Sequence, residues 1–206
     1  MDNVILVGYS GHAFVVADIL FQQGCTISGY MEKVTKANNP FNLPYLGDEY
    51  NEVSSKILSA NNFVVSIGNN MVRRKVYTYL KSRSFNSFNA IHPKATIASK
   101  VSLSEGITIM AGSLINPLAF IGKGVIINTG AIIEHECKIG DFVHIAPGAA
   151  IAGNVSIGKN SFIGANATIR EGIIIGENVL VGAGSVVVKN ISDNAIIYGN
   201  PGRRTV

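Results

Sequence analysis

The residues of this chain best suited to chemistry gather in Ile133-Glu134-His135-Glu136-Cys137, with His144 nine positions further on. A histidine titrates near neutrality and can take a proton from a nucleophile as a bond forms, so His135 is a candidate general base. Glu136 is its immediate neighbour. Adjacent side chains of a regular strand face opposite sides, so the two can touch only where the chain bends. The plainer reading of both is a pair of surface residues. A second constellation, Gly8-Tyr9-Ser10-Gly11-His12, ends a short apolar run and opens a helical pattern. Backbone N–H groups at a helix start bind phosphate well; a plain tight turn is the alternative. Gly8 and Gly11 lack the third glycine of Gly-x-Gly-x-x-Gly, so the loop is not a dinucleotide fingerprint. A third set, Gly68-Asn69-Asn70 with Arg73 a helical turn on, follows another apolar run.

The elements that must position these residues fall into two regimes. Residues 1–84 alternate strand and helix patterns: strands over 4–7, 26–31 and 63–67, helices over 12–22, roughly 48–60, and 71–82. Alternation of this kind predicts a small parallel sheet with helices on both faces, a Rossmann-like α/β domain. Ligands of such sheets sit at the carboxyl ends of the strands, here Gly8–His12, Glu32 and Gly68–Asn70.

Residues 85–206 read differently. From Ile91 to Val187 every sixth position is aliphatic, 17 in succession, and most are isoleucine. Six is far from a multiple of 3.6 but is a multiple of two, so all the anchors face one side of extended chain. The fourth residue after each anchor is small or β-branched, as at Ala131, Cys137, Val143 and Ala149, and the first is often glycine. This is the hexapeptide repeat of an all-β, left-handed parallel β-helix, three six-residue units to a triangular coil. The repeat places Cys137 in the inward column, a structural thiol rather than an acyl carrier. It turns His135, two positions after Ile133, outward. His144 lies half a coil from His135 on another face, with sides of roughly 15–20 Å. The two histidines should not meet within one chain; a site using both would lie between subunits.

Composition closes off several classes. At 47% hydrophobic and 15% charged the chain can bury a core and is not disordered. A net charge of +4 without a basic and aromatic stripe argues against nucleic acid. Two cysteines far apart suit a reducing cytoplasm. The first residues read as a strand, not a signal peptide, and no run is long enough to insert in a membrane.

The hexapeptide ladder, the Gly8–His12 loop, Ile67-Gly68-Asn69-Asn70 with Arg73, and the His135-Glu136-Cys137 segment with His144 together resemble the sugar O- and N-acetyltransferases of the NeuD/PglD type, over essentially the whole chain. The resemblance implies transfer of an acetyl group from acetyl-CoA to a nucleotide-linked 4-amino-4,6-dideoxy sugar in bacterial surface-glycan (lipopolysaccharide) biosynthesis, by a cytoplasmic homotrimer with sites between subunits. O-acetylation of sialic acid or a related sugar is the alternative. In this family reading His135 is the base and Glu136 orients it. Gly8, Ser10, Gly11, His12, Glu32, Gly68, Asn69, Asn70, Arg73 and Asn128 hold the nucleotide sugar. His144, Gly153, Ala165, Ala183 and Pro201 hold the cofactor, with the arginines of the closing Gly199–Arg204 segment near its phosphates. One departure stands out: members that bind uridine nucleotides often have two adjacent acidic residues after the second strand, where this chain has Glu32-Lys33. A zinc-dependent hydratase also uses this β-helix, but it needs three converging histidines; His12 and His92 lie elsewhere, so no metal is expected. A non-catalytic scaffold, which would not bind acetyl-CoA, is the remaining alternative.

Overall fold

In a computed structural model of the chain, which describes residues 2–205, two compact units are present, dividing between residues 93 and 94. The first is built on three strands and three helices. β1 (Asn3–Val7), β2 (Thr26–Met31) and β3 (Asn62–Val65) form a parallel sheet in the order β2-β1-β3. β1 is fully buried from Val4 onward, as a central parallel strand must be. α1 (Gly11–Gln22) follows β1, α2 (Glu52–Ser59) precedes β3, and α3 (Asn70–Ser82) follows it. α1 stops where Gly24, at φ +75°, turns the chain and Cys25 N–H donates to the Leu20 carbonyl. The third strand and second helix are shorter than the apolar pattern predicts. Ser66 N–H makes the last ladder bond, to the Val7 carbonyl at 2.8 Å, and the chain then leaves the sheet for the Gly68-Asn69 loop; residues 48–51 form turns that place Asn51 as the α2 cap.

The second unit is a three-sided parallel β-helix. Within it each aliphatic anchor is the second residue of a two-residue strand, from Thr96–Ile97 to Val186–Val187. Strands pair with a register offset of 18 residues, as in Ile127 with Ile145 and Ile133 with Ile151. One face runs through Thr108–Ile109, Ile126–Ile127, His144–Ile145, Phe162–Ile163 and Leu180–Val181. A second carries Ile132–Ile133 and Ala150–Ile151; a third carries Phe120–Ile121, Lys138–Ile139 and Ser156–Ile157. Every anchor from Ile109 to Val187 is buried, each contributing roughly 2 kcal/mol of burial. Ile97 and Leu103, in the first coil, are half-buried because no coil of the helix precedes theirs. The last coil is closed by Ile196–Tyr198 and an antiparallel strand, Arg203–Thr205.

Many corner residues adopt positive φ, and most are glycine or asparagine, which tolerate it. Glu136 is an exception at φ +61°.

Candidate active site

His135 and Glu136 sit at the corner between the second and third faces. The corner is held by the coils on either side: Glu136 N–H donates to the Pro117 carbonyl at 3.1 Å, and Asn154 N–H donates to the His135 carbonyl at 2.8 Å. Because Glu136 is in the left-handed region, its side chain swings back to its neighbour, and Oε2 lies 3.0 Å from His135 Nδ1. Both side chains are more than half exposed, at 59% and 56%. With the Nδ1 proton donated to the carboxylate, Nε2 is left to accept. The ring leans over Gly153, one coil further along the same corner: a Cβ there would lie 2.6 Å from both Cε1 and Nε2. Gly153 is therefore a vacancy cut for the imidazole.

Cys137 is fully buried, and its Sγ donates to the Ala152 carbonyl at 3.1 Å. Burial raises its pKa above the usual thiol value. The inward column assignment holds, and this sulfur is not placed to carry an acyl group.

His135 sits at the corner between the second and third faces, whereas His144 is buried on the first. Its partner is Asn128, whose Oδ1 accepts from Thr129 N–H at 2.8 Å. That bond directs Nδ2 of Asn128 to donate to His144 Nε2 at 3.1 Å, leaving the imidazole proton on Nδ1. Phe162 packs edge-on against the ring at 5.0 Å. Ala165 and Ala183 stack one coil apart at the corner after this face, where Gly184 N–H donates to the Ala165 carbonyl. The candidate residues of the β-helix thus fall on separate edges: His135, Glu136 and Gly153 on one, Asn128, Ala165 and Ala183 on another, with His144 beside the latter. Pro201 is exposed in the turn before the closing strand.

In the first unit a cleft of about 390 Å³ opens at the carboxyl ends of the strands. Gly8, Ser10 and Glu32 line it, with Lys33, the residue that departs from the paired acidic pattern, and with Glu49 and Lys75, which sequence reasoning did not single out. Ile67, Val72 and Val76 supply an apolar wall. Lys75 was legible in principle, since Val72, Lys75 and Val76 share one face of α3 at helical spacing. Glu49 lies in an irregular loop and carries no periodic signal.

The loop over this cleft is firmly built. Gly8 has φ +93°, and a Cβ there would run into Ile67. Ser66 Oγ donates to the Gly8 carbonyl at 2.6 Å, and Tyr9 N–H donates to Glu32 Oε1 at 2.9 Å. Ser10 is the N-cap of α1 but makes no side-chain cap, whereas Asn51 and Asn69 cap α2 and α3. The first turn of α1 is thus the one helix start of this unit, among the described residues, without a side-chain cap.

Several of the other candidates turn inward to the protein. Asn69 Oδ1 accepts from Val72 N–H. Arg73, almost fully buried, donates to the carbonyls of Ile67 and Gly68 at 3.1 and 2.9 Å and to Asn70 Oδ1 at 3.0 Å. Burial lowers its pKa to about 9, so it remains a cation that ties down the 67–70 loop. Burial, and then the charge of Arg73, hold His12 down to about 4, so its ring is neutral near pH 7. Gly11, His12, Gly68, Asn69, Asn70 and Arg73 do not line the cleft. Among the described residues no three histidine, cysteine or acidic side chains gather as a metal site would require, and no helix is long and apolar enough to cross a membrane.

A hexapeptide β-helix with a histidine–carboxylate pair set outside its core defines the class: an acyltransferase of the hexapeptide-repeat type. Residues 118–153 match the bacterial transferase hexapeptide (six repeats), residues 154–189 the hexapeptide repeat of succinyl-transferase, and residues 3–80 the PglD N-terminal domain. The chain is similar to GDP-perosamine N-acetyl transferase from Caulobacter crescentus, solved as a histidine-to-alanine mutant with CoA and GDP-perosamine. Identity is 34%, coverage 100% of this chain and 98% of that one, and the TM-score 0.93. The acetyltransferase domain of PglB from Neisseria gonorrhoeae, in complex with acetyl coenzyme A, is 30% identical over 98% of both chains, with a TM-score of 0.92. WeeI from Acinetobacter baumannii is 26% identical over the full length of both, at 0.82. The chain belongs to the PglD-type family of acetyl-CoA-dependent sugar acetyltransferases.

Proposed function

We propose that this protein moves the acetyl group of acetyl-CoA onto the 4-amino group of a nucleotide-linked 4-amino-4,6-dideoxy sugar, with His135 as general base. The observation that carries the reading is the His135–Glu136 pair, 3.0 Å apart, with the imidazole over Gly153. The amine attacks the thioester carbonyl carbon, and His135 Nε2 takes the amine proton as the C–N bond forms. The C–S bond then breaks, and the departing CoA sulfur takes up a proton to leave as the thiol. Glu136 holds the ring in the tautomer that exposes Nε2 and stabilises the imidazolium that forms.

The active form in this reading is a homotrimer. One cofactor cannot easily span the two edges of a single β-helix that carry Gly153 and Ala165–Ala183, but neighbouring chains can bring unlike edges together. The exposure of His135 and Glu136 fits a site completed by a second subunit, which would also exclude water from the thioester. Asn128 and His144 would then face His135 of the neighbouring chain. The cleft at Gly8 and Ser10 would hold the nucleotide diphosphate, and Lys33 and Lys75 give it counter-charge. The relatives solved with CoA, acetyl-CoA and GDP-perosamine support both ligand classes. With its substrates in the cytoplasm, the enzyme would act there, in surface-glycan synthesis.

The test is incubation with acetyl-CoA and UDP-, dTDP- and GDP-linked 4-amino sugars, with free sialic acid alongside, following CoA thiol release. Thiol release with a 4-amino sugar is expected. Release with sialic acid alone would replace N- by O-acetylation, and release with none would end the proposal.

A further inference from the structure

The cleft of the first unit contains two carboxylates in different circumstances. Glu32 is committed: Oε1 accepts from Tyr9 N–H at 2.9 Å, and Oε2 lies 3.5 Å from Lys36 Nζ. Its work is to hold the Gly8–His12 loop, and little of it is left for a ligand. Glu49 is 8% exposed, lines the cleft and makes no ion pair among the described residues; its own backbone amide donates to its carboxylate. Asp48 and Glu32 add negative charge around it, Lys33 opposes them, and Lys75 also lines the cleft. Its side chain is largely covered, but its oxygens are not sealed from solvent and open on the cleft, where a ligand's donors can reach them. Burial accordingly raises its pKa.

We propose that Glu49 selects the nucleobase, and that the base it selects is guanine. The inference rests on the nucleotide-sugar reading of the cleft given above and deepens it. Guanine offers N1–H and N2–H side by side, two parallel donors that match the two oxygens of a carboxylate. Uracil and thymine offer one N–H flanked by two carbonyls. Against a carboxylate each makes one hydrogen bond and sets a carbonyl against an anionic oxygen. A site built to receive two donors rejects a base lacking one of them, because a buried acceptor is left unpaired. The apolar wall of Ile67, Val72 and Val76 gives the ring a surface to lie on. Gly8 and Ser10 line the same cleft, so the diphosphate would lie along their loop while the base lies at Glu49.

The inference is tested by calorimetric binding of GDP, UDP and dTDP to the full chain and to Glu49→Gln and Glu49→Asp. Wild type is expected to bind GDP about 10- to 100-fold more tightly than UDP or dTDP. The Glu49→Gln amide is isosteric but presents one donor and one acceptor. It should weaken GDP by at least about tenfold while leaving UDP and dTDP unchanged or tighter, since an amide complements their acceptor–donor edge. Glu49→Asp keeps the carboxylate, so GDP should remain preferred. Equal or tighter binding of UDP or dTDP by wild type overturns the inference, as does a uniform loss for all three in Glu49→Gln. Binding of none of them overturns the nucleotide reading of the cleft, and the inference with it.

Discussion

Alanine at position 153 is the sharpest perturbation of the proposed catalytic corner. The glycine does not have positive φ, so alanine fits the backbone, and the three atoms nearest its Cβ all belong to the His135 ring, the closest at 2.6 Å. Ordinary van der Waals contact begins near 3.4 Å, so the imidazole must retreat by roughly 1 Å or rotate off Glu136. Displacing a catalytic group by about 1 Å costs on the order of 10²-fold in rate, which is about 3 kcal/mol of barrier. The ring is exposed, so it can yield into space rather than strain the core. The stability cost should stay below roughly 1 kcal/mol. Turnover at saturating acetyl-CoA and amino sugar, read by thiol release, should therefore fall about 10²-fold in Gly153→Ala, with thermal unfolding nearly unchanged. If the loss acts through the ring, it should largely vanish in a His135→Ala background, where the methyl has nothing to displace. Wild-type turnover in Gly153→Ala, or a full further loss in the double variant, would refute this reasoning.

Replacing the base itself, His135→Ala, should cut kcat by roughly 10²–10⁴ while leaving nucleotide-sugar binding by calorimetry nearly intact; turnover near wild type would end the assignment. Dilution, or an interface substitution that yields monomers by sedimentation, should abolish activity; an active monomer would sink the shared-site reading. The first unit should lose stability in acid. His12 is held near 4 in the folded chain against 6.5 unfolded, so below pH 6.5 only the unfolded state gains the proton. Its contribution is complete above pH 6.5 and is lost as pH falls towards 4, by about 3 kcal/mol in all. Urea titrations between pH 7.5 and 4.5 should show a shallower decline for His12→Asn; identical slopes would contradict the burial of a neutral ring.

The β-helix was legible because its signal repeats: one inward residue in six, seventeen times, fixes register and face for everything between. From that register the inward place of Cys137, the outward place of His135 and the separation of His144 follow directly. The contact between His135 and Glu136 was not legible. It depends on one backbone angle at Glu136, and nothing in the residue type announces a glutamate at φ +61°. The first unit was legible as alternating strands and helices, but not in how its polar residues are spent. Arg73 and Asn69 have the same types whether they meet a ligand or cap and tether their own loop, and the structure has them doing the latter.

That difference bears on how ligand-binding residues are recognised in this fold. A polar side chain at the carboxyl end of a parallel strand is a candidate by position, yet position is shared by residues that build the loop and residues that face the cleft. What separates them is whether their hydrogen-bonding capacity is already used. Glu32 and Arg73 have used theirs on the Gly8–His12 and Gly68–Asn70 loops, and so act on a ligand by fixing backbone amides and loop shape. Glu49, outside every motif, keeps its capacity in a buried place. The same reasoning applies to the β-helix: Asn128 donates to His144 Nε2 and so fixes which ring nitrogen carries the proton, acting on a ligand through the tautomer it sets. Unspent donors and acceptors, rather than motif membership, mark where this molecule is incomplete without its substrates.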